Sequence, residues 1–129
     1  MSAAPNNAWL WVQKAEEDWV GMNQLLEATP TQWTLVCFHA QQAAEKYLKA
    51  FLVSHGLDPE RTHDLLELLD ACLSFDSTLA LLRDDCLKLT EYAVDVRYPD
   101  IPVSASEQTA REAATKARHV RTEMRKRMQ

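Results

Sequence analysis

Arg97-Tyr98-Pro99-Asp100 is the stretch with the most reactive chemistry in the chain. A guanidinium offers five donors in a rigid fork that matches the oxygens of a phosphate. Arg97 stands where a helix must end, because Pro99 lacks a donor and crowds the turn before it. Tyr98, Pro99 and Asp100 would shape the wall of such an anion cleft, although the same arginine can equally be fixed by Asp95, Asp100 or a glutamate of another helix. A second constellation is His63-Asp64, just after Arg61. There the imidazole either caps the next helix and packs over the preceding loop, or joins its neighbouring carboxylate in a polar groove.

A third is a strip of polar residues spaced for one side of a helix. Gln42, Glu45 and Lys49 share a face at spacings of three and four, while His39, Gln42 and Lys46 share an overlapping one. One reading is a solvated face carrying an ion pair between Glu45 and Lys49. The other is a strip that meets another helix or subunit through hydrogen bonds, since Gln41 and Gln42 side by side exceed what solubility requires. Metal chemistry is not expected, because Cys37 and His39 would project about 200° apart on a helix. With Gly21 and Gly56 the only glycines, there is no glycine-rich phosphate loop, and no cofactor is expected.

The elements that must position these groups are helical. The chain has 129 residues, enough for one domain with a real core, and only two glycines and five prolines interrupt long Ala/Leu/Glu/Lys-rich segments. Residues 33–56 form the organising helix. Val36, Ala40, Ala43, Tyr47, Ala50 and Phe51 draw one apolar stripe, widened by Ala44, Leu48 and Leu52, so that neighbours are needed on more than one side. Before it, Ala8, Val12, Ala15, Trp19, Met22 and Leu26 give a first helix beginning near Asn7 or Ala8, with Glu16, Glu17 and Asp18 on its wet side. Trp9, Leu10 and Trp11 are apolar enough to cover a bundle end or a partner subunit.

A short, leucine-rich third helix begins at Thr62 or His63. Leu79, Leu82, Cys86, Leu89, Ala93 and Val96 set the rhythm of a fourth helix that must finish by Tyr98. Ser104 and Glu107 read as a capping box for a fifth, with Ala110, Ala113, Ala117, Val120 and Met124 facing inward. The fold class expected is therefore all-α, an up-down bundle of four long helices with one additional short helix, as a single domain over 1–129 with its core at about 8–127.

Charge and cysteine content narrow the setting. From residue 111 to 127 seven basic residues face two acidic ones, for +5 against an overall −5. That basic helix can contact phosphates, pair with the acidic body, or complement its own C-terminal dipole. Cys37, Cys72 and Cys86 are odd in number and set in apolar surroundings, which points to buried thiols in a reducing compartment. No apolar run is long enough to span a membrane and the first residues lack a signal pattern, so a cytoplasmic location without membrane contact is expected.

Four marks taken together resemble the HEPN (higher eukaryotes and prokaryotes nucleotide-binding) domain family: Ala15-Glu16-x-Asp18, CFHAQQAAEKYLKAFL over residues 37–52, Arg61-Thr62-His63-Asp64-Leu65, and Arg97-Tyr98-Pro99-Asp100. The resemblance covers residues 9–124. It implies a helical bundle that forms a homodimer, with a minimal nucleotidyltransferase as a possible partner or antitoxin and a nucleotide or RNA as a possible ligand. In the ribonuclease branch of the family an arginine matching Arg97 is followed, after four to six residues, by a histidine. Here the corresponding positions are Pro102, Val103 and Ser104. An arginine stabilises phosphate charge but is a poor proton carrier.

The function expected is therefore that of a non-catalytic or uncharacterised HEPN-like protein, homodimeric, binding a nucleotide, RNA or a nucleotidyltransferase-type partner. Arg97, Tyr98, Pro99, Asp100, Gln42, Lys46 and His63 are the suspected cleft residues. The alternatives are a metal-independent endoribonuclease toxin of a HEPN/nucleotidyltransferase toxin–antitoxin pair, using His63 or His39 in place of the absent histidine, and a purely structural helical interaction module.

Overall fold

The computed structural model describes residues 4–92 and 105–128, with side chains from residue 7 onward. Its order is α1 (Ala4–Glu27), α2 (Trp33–Ser54), α3 (Leu65–Leu73), a 3₁₀ turn (Ser77–Leu82), α4 (Arg83–Leu89), a second 3₁₀ turn (Thr90–Tyr92) and α5 (Glu107–Arg127). Among the described residues this is an all-α bundle in which α1, α2 and α5 are the long rods and α3 and α4 are short. The helix α2 sits at its centre, packed most extensively on α1 and also on α3, α4 and α5.

The stripes drawn by the sequence account for the core. Val36, Ala40, Ala43, Ala44, Tyr47, Leu48, Ala50, Phe51 and Leu52 of α2 are all buried, as are Ala110, Ala113, Ala117, Val120 and Met124 of α5. The small alanines of α5 allow close approach to α2 in its first half. Tyr47 is fully buried, and its hydroxyl has no hydrogen-bond partner among the described residues.

Helix ends follow local chemistry. The C-terminus of α2 closes in a Schellman arrangement: Leu57 N–H donates to Leu52 O (3.0 Å), Gly56 N–H donates to Val53 O (2.9 Å), and Gly56 adopts φ +80°. The start of α3 is set by Asp64, whose carboxylate accepts from Leu66 N at 2.9 Å, so this helix begins at Leu65 rather than at Thr62 or His63. The start of α5 is capped by Ser106, which accepts from Thr109 N at 3.1 Å. Ser104, expected in that role, lies outside the described residues.

Two expectations are corrected. The helix α1 begins at Ala4, not near Asn7 or Ala8, since Pro5 falls in the first turn, where a missing N–H costs nothing. Within the described residues the fourth rod is composite, 3₁₀ then α then 3₁₀. Asp76 caps its first turn by accepting from Thr78 N at 3.0 Å, and the buried Leu79 and Leu82 stand three apart, the repeat of a 3₁₀ helix. Ala93 and Val96 lie outside the described residues.

Three of the seven basic residues of α5, Arg121, Arg125 and Arg127, pair with acidic groups of the body. Arg121 forms a two-pronged pair with Glu16 at 2.8 and 3.0 Å and covers the Trp19 ring at 5.0 Å. The Glu16 carboxylate raises the Arg121 pKa. Arg127 reaches Asp76 at 2.9 Å and Glu123 at 2.7 Å. Of the three readings of this helix, pairing with the acidic body accounts for these contacts.

All three cysteines are buried and free. Burial pushes the Cys37 thiol up to about 11, and the Cys72 and Cys86 thiols to about 12.

Candidate functional site

The polar strip of α2 is not a solvated face. Gln41, Glu45 and Lys49 are buried, while Gln42 and Lys46 are half-buried. Polar groups removed from water must find partners, and here they gather around two carboxylates.

The first is Glu45, whose side chain is 5% exposed. Its Oε2 accepts from Lys49 Nζ at 3.0 Å, one helical turn on, and its Oε1 accepts from Gln41 Nε2 at 3.1 Å. The same Oε1 meets His63 Nδ1 at 2.8 Å. A carboxylate paired with an ammonium can only accept, so Nδ1 carries a proton, and Nε2 has no partner among the described residues.

His63 is held by its backbone as well. Its carbonyl accepts from Gln41 Nε2 at 3.3 Å and from Thr90 Oγ1 at 3.2 Å, and Thr90 Oγ1 in turn accepts from Leu65 N at 3.0 Å. The imidazole nevertheless remains 62% exposed. Gln42 joins this centre by donating to Gln41 Oε1 at 2.7 Å, and the Lys49 ammonium lies 5.5 Å from the centre of the Trp11 ring.

The second carboxylate is Asp18 of α1, which accepts from His39 Nδ1 at 2.8 Å through Oδ1 and from Lys46 Nζ through Oδ2. Burial alone would raise the Asp18 pKa, but the hydrogen bonds from His39 and Lys46, together with their charges, outweigh it and hold the carboxyl below its ordinary value. Each centre thus has a carboxylate with a lysine on one oxygen and an imidazole on the other.

Of the residues singled out by the sequence, Lys46 belongs to the Asp18 centre, whereas Gln42 and His63 belong to the Glu45 centre. Arg97, Tyr98, Pro99 and Asp100 lie outside the described residues. Asp18, placed on the wet side of α1 by its charge, is in fact buried, because α2 supplies two donors opposite it. Its position gave a signal: three residues after Ala15 and four before Met22, it shares their inward face. Thr90 had no comparable signal, as its role depends on where α3 begins.

Both oxygens of each carboxylate are engaged internally. Outward, the connection that carries His63 bears exposed Asp58, Glu60 and Arg61 together.

The comparisons with known proteins agree with this architecture. A family model described as the HEPN domain matches residues 8–127, and the chain belongs to that family. Among solved structures, TT1696 from Thermus thermophilus superposes with a TM-score of 0.83 at 24% sequence identity, covering 94% of this chain and 98% of that one; the likeness carries the fold. The search of curated proteins gave no match. Among the described residues, no helix is long and apolar enough to cross a membrane.

Proposed function

We propose that this HEPN domain protein is a non-catalytic binding module that acts as a homodimer. Its ligand is a nucleotide or RNA, or is presented by a nucleotidyltransferase-type partner. The observation that carries the reading is the exposed imidazole of His63, anchored on the buried Glu45 carboxylate, with exposed Arg61 two residues before it. Arg97 supplies the principal anion contact, with Tyr98, Pro99 and Asp100 shaping the cleft and Gln42 and Lys46 lining it. The chain's connectivity supports grouping these residues: Thr90, which fixes His63, precedes Arg97 by only a short stretch.

The test is a titration of wild-type protein and Arg97→Ala with a labelled mixed-sequence oligoribonucleotide, with adenosine nucleotides, and with a co-expressed minimal nucleotidyltransferase. Binding should weaken in the variant by at least tenfold in Kd, with thermal unfolding unchanged. Equal binding by both proteins would remove Arg97 from the site.

A second reading, an endoribonuclease toxin, is favoured by one contact. The hydrogen bond from His63 Nδ1 to the Glu45 carboxylate orients an imidazole with its second nitrogen free, the arrangement a general base requires. This reading expects metal-independent cleavage of RNA in the presence of a chelator, abolished when Arg97 and His63 are both changed. An intact RNA after incubation with nuclease-free protein eliminates it.

A further inference from the structure

We propose that His63 is itself a phosphate-contacting residue of the binding site, and that Glu45, backed by Lys49, is the positioning residue that aims it. The inference rests on the binding reading above and names the part of the site that faces the ligand. Its ligand chemistry is a phosphate group carried either by a mononucleotide or by an RNA backbone.

The argument is geometric. His63 lies in the connection before α3, where an imidazole on an exposed side would ordinarily sample several rotamers. Here Nδ1 is fixed on Glu45 Oε1 at 2.8 Å, and the backbone carbonyl of the same residue is fixed by Gln41 and Thr90. Glu45 cannot swing away, because Lys49 holds its other oxygen at 3.0 Å and the side chain is 5% exposed. The result is a rigid imidazole with its inner nitrogen set against a buried carboxylate, while the ring as a whole is 62% exposed.

A histidine needed only to satisfy Glu45 could be covered like its counterpart His39, whose side chain is 30% exposed. With both nitrogens protonated, the ring bridges the buried carboxylate and an incoming phosphate oxygen by two charge-assisted hydrogen bonds. Exposed Arg61, two residues earlier, has no ion-pair partner among the described residues and places a cation beside His63, on a connection that also carries exposed Asp58 and Glu60.

The two amide substitutes separate the two nitrogens. In His63→Asn the amide nitrogen stands near the place of Nδ1, so the bond to Glu45 is kept while the donor that faces the ligand is removed. In His63→Gln the longer side chain carries its amide nitrogen toward the place of Nε2. Binding of a labelled mixed-sequence oligoribonucleotide by wild type, Arg97→Ala, His63→Asn and His63→Gln is measured by fluorescence anisotropy, with AMP and inorganic phosphate as competitors and thermal unfolding as the control for folding.

The proposal expects at least a tenfold rise in Kd for His63→Asn with its unfolding temperature unchanged, and a smaller rise for His63→Gln. Competition by AMP identifies a mononucleotide phosphate as the ligand chemistry, and resistance to AMP identifies the RNA backbone. Weakened binding in Arg97→Ala alongside wild-type binding in His63→Asn overturns this inference and leaves the binding reading standing. Absence of any binding by the wild type overturns both.

Discussion

The Asp18 and Glu45 centres use the same three functional groups, a carboxylate, an ammonium and an imidazole, and differ in which member meets water. In the Asp18 centre exposure is shared: the carboxylate is 11% exposed, Lys46 24% and His39 30%. The carboxylate comes from α1 and both partners from α2, so the centre is a clamp between two helices. In the Glu45 centre exposure is polarised. Glu45 and Lys49 are 5% and 9% exposed and belong to one helix, while His63 arrives from a loop and stays mostly in solvent. The same chemistry therefore fastens two helices in one place and presents a ring in the other. Burial decides the outcome, because it sets which group still has hydrogen-bonding capacity for something outside the chain.

The largest effect that would break this contrast is expected at the buried ion pair. Lys49→Ala leaves Glu45 ionised and out of water, a situation that costs about 3–5 kcal/mol, read as a lowered midpoint in urea unfolding. The double variant Glu45→Leu with Lys49→Met should recover most of that loss, since a matched apolar pair avoids the desolvation penalty. If Lys49→Ala were as stable as wild type, the Glu45 centre would be no more buried in effect than its counterpart.

A smaller effect is expected at Asp18. Asp18→Asn exchanges two charge-assisted bonds for weaker ones and should cost about 1–2 kcal/mol at neutral pH. Its pH dependence has a defined sign. The folded pKa of Asp18 lies below the unfolded one, so its stabilisation is complete above the unfolded value of about 4 and disappears as pH falls through the folded value. Wild type and Asp18→Asn should therefore converge in acid, as measured by urea midpoints across a pH series. Curves that stayed parallel would mean that the carboxylate charge is not what joins α1 to α2.

The smallest effect serves as a reference on the same helix. The hydroxyl of Tyr47 is buried and belongs to neither centre. Removing it in Tyr47→Phe should leave stability unchanged or raise it by up to about 1 kcal/mol. A clear loss in thermal unfolding would show that its oxygen has a partner in solution.

The bundle was legible because spacing at three and four residues reports which side chains share a face, and in α2 and α5 every residue of those stripes is buried. The end of α2 at Gly56 was legible because a left-handed glycine cap depends on local chain alone, whereas the start of α3 was placed at Thr62 or His63, ahead of its true start at Leu65. The composite fourth rod was not, since Leu79 and Leu82 fit a 3₁₀ repeat and an α-helical one equally well. The polar strip shows the same limit from the other side. Periodicity groups Gln42, Glu45 and Lys49, yet whether water or another segment covers them depends on residues far away in sequence. Asp18 and His63 meet α2 across separations of 28 and 18 residues, to Lys46 and Glu45 respectively. A charged residue reads as exposed until its partner is known, and for that reason the pattern of α1 alone puts Asp18 in solvent.

The three thiols lend themselves to one practical use. With Cys37 raised to about 11 and Cys72 and Cys86 to about 12, each sealed inside the bundle, hardly any reactive thiolate exists in the native molecule at neutral pH. An alkylating reagent then labels a cysteine only in the instants when its surroundings open. The chain carries its own set of breathing gauges, one in α2, one in α3 and one in α4.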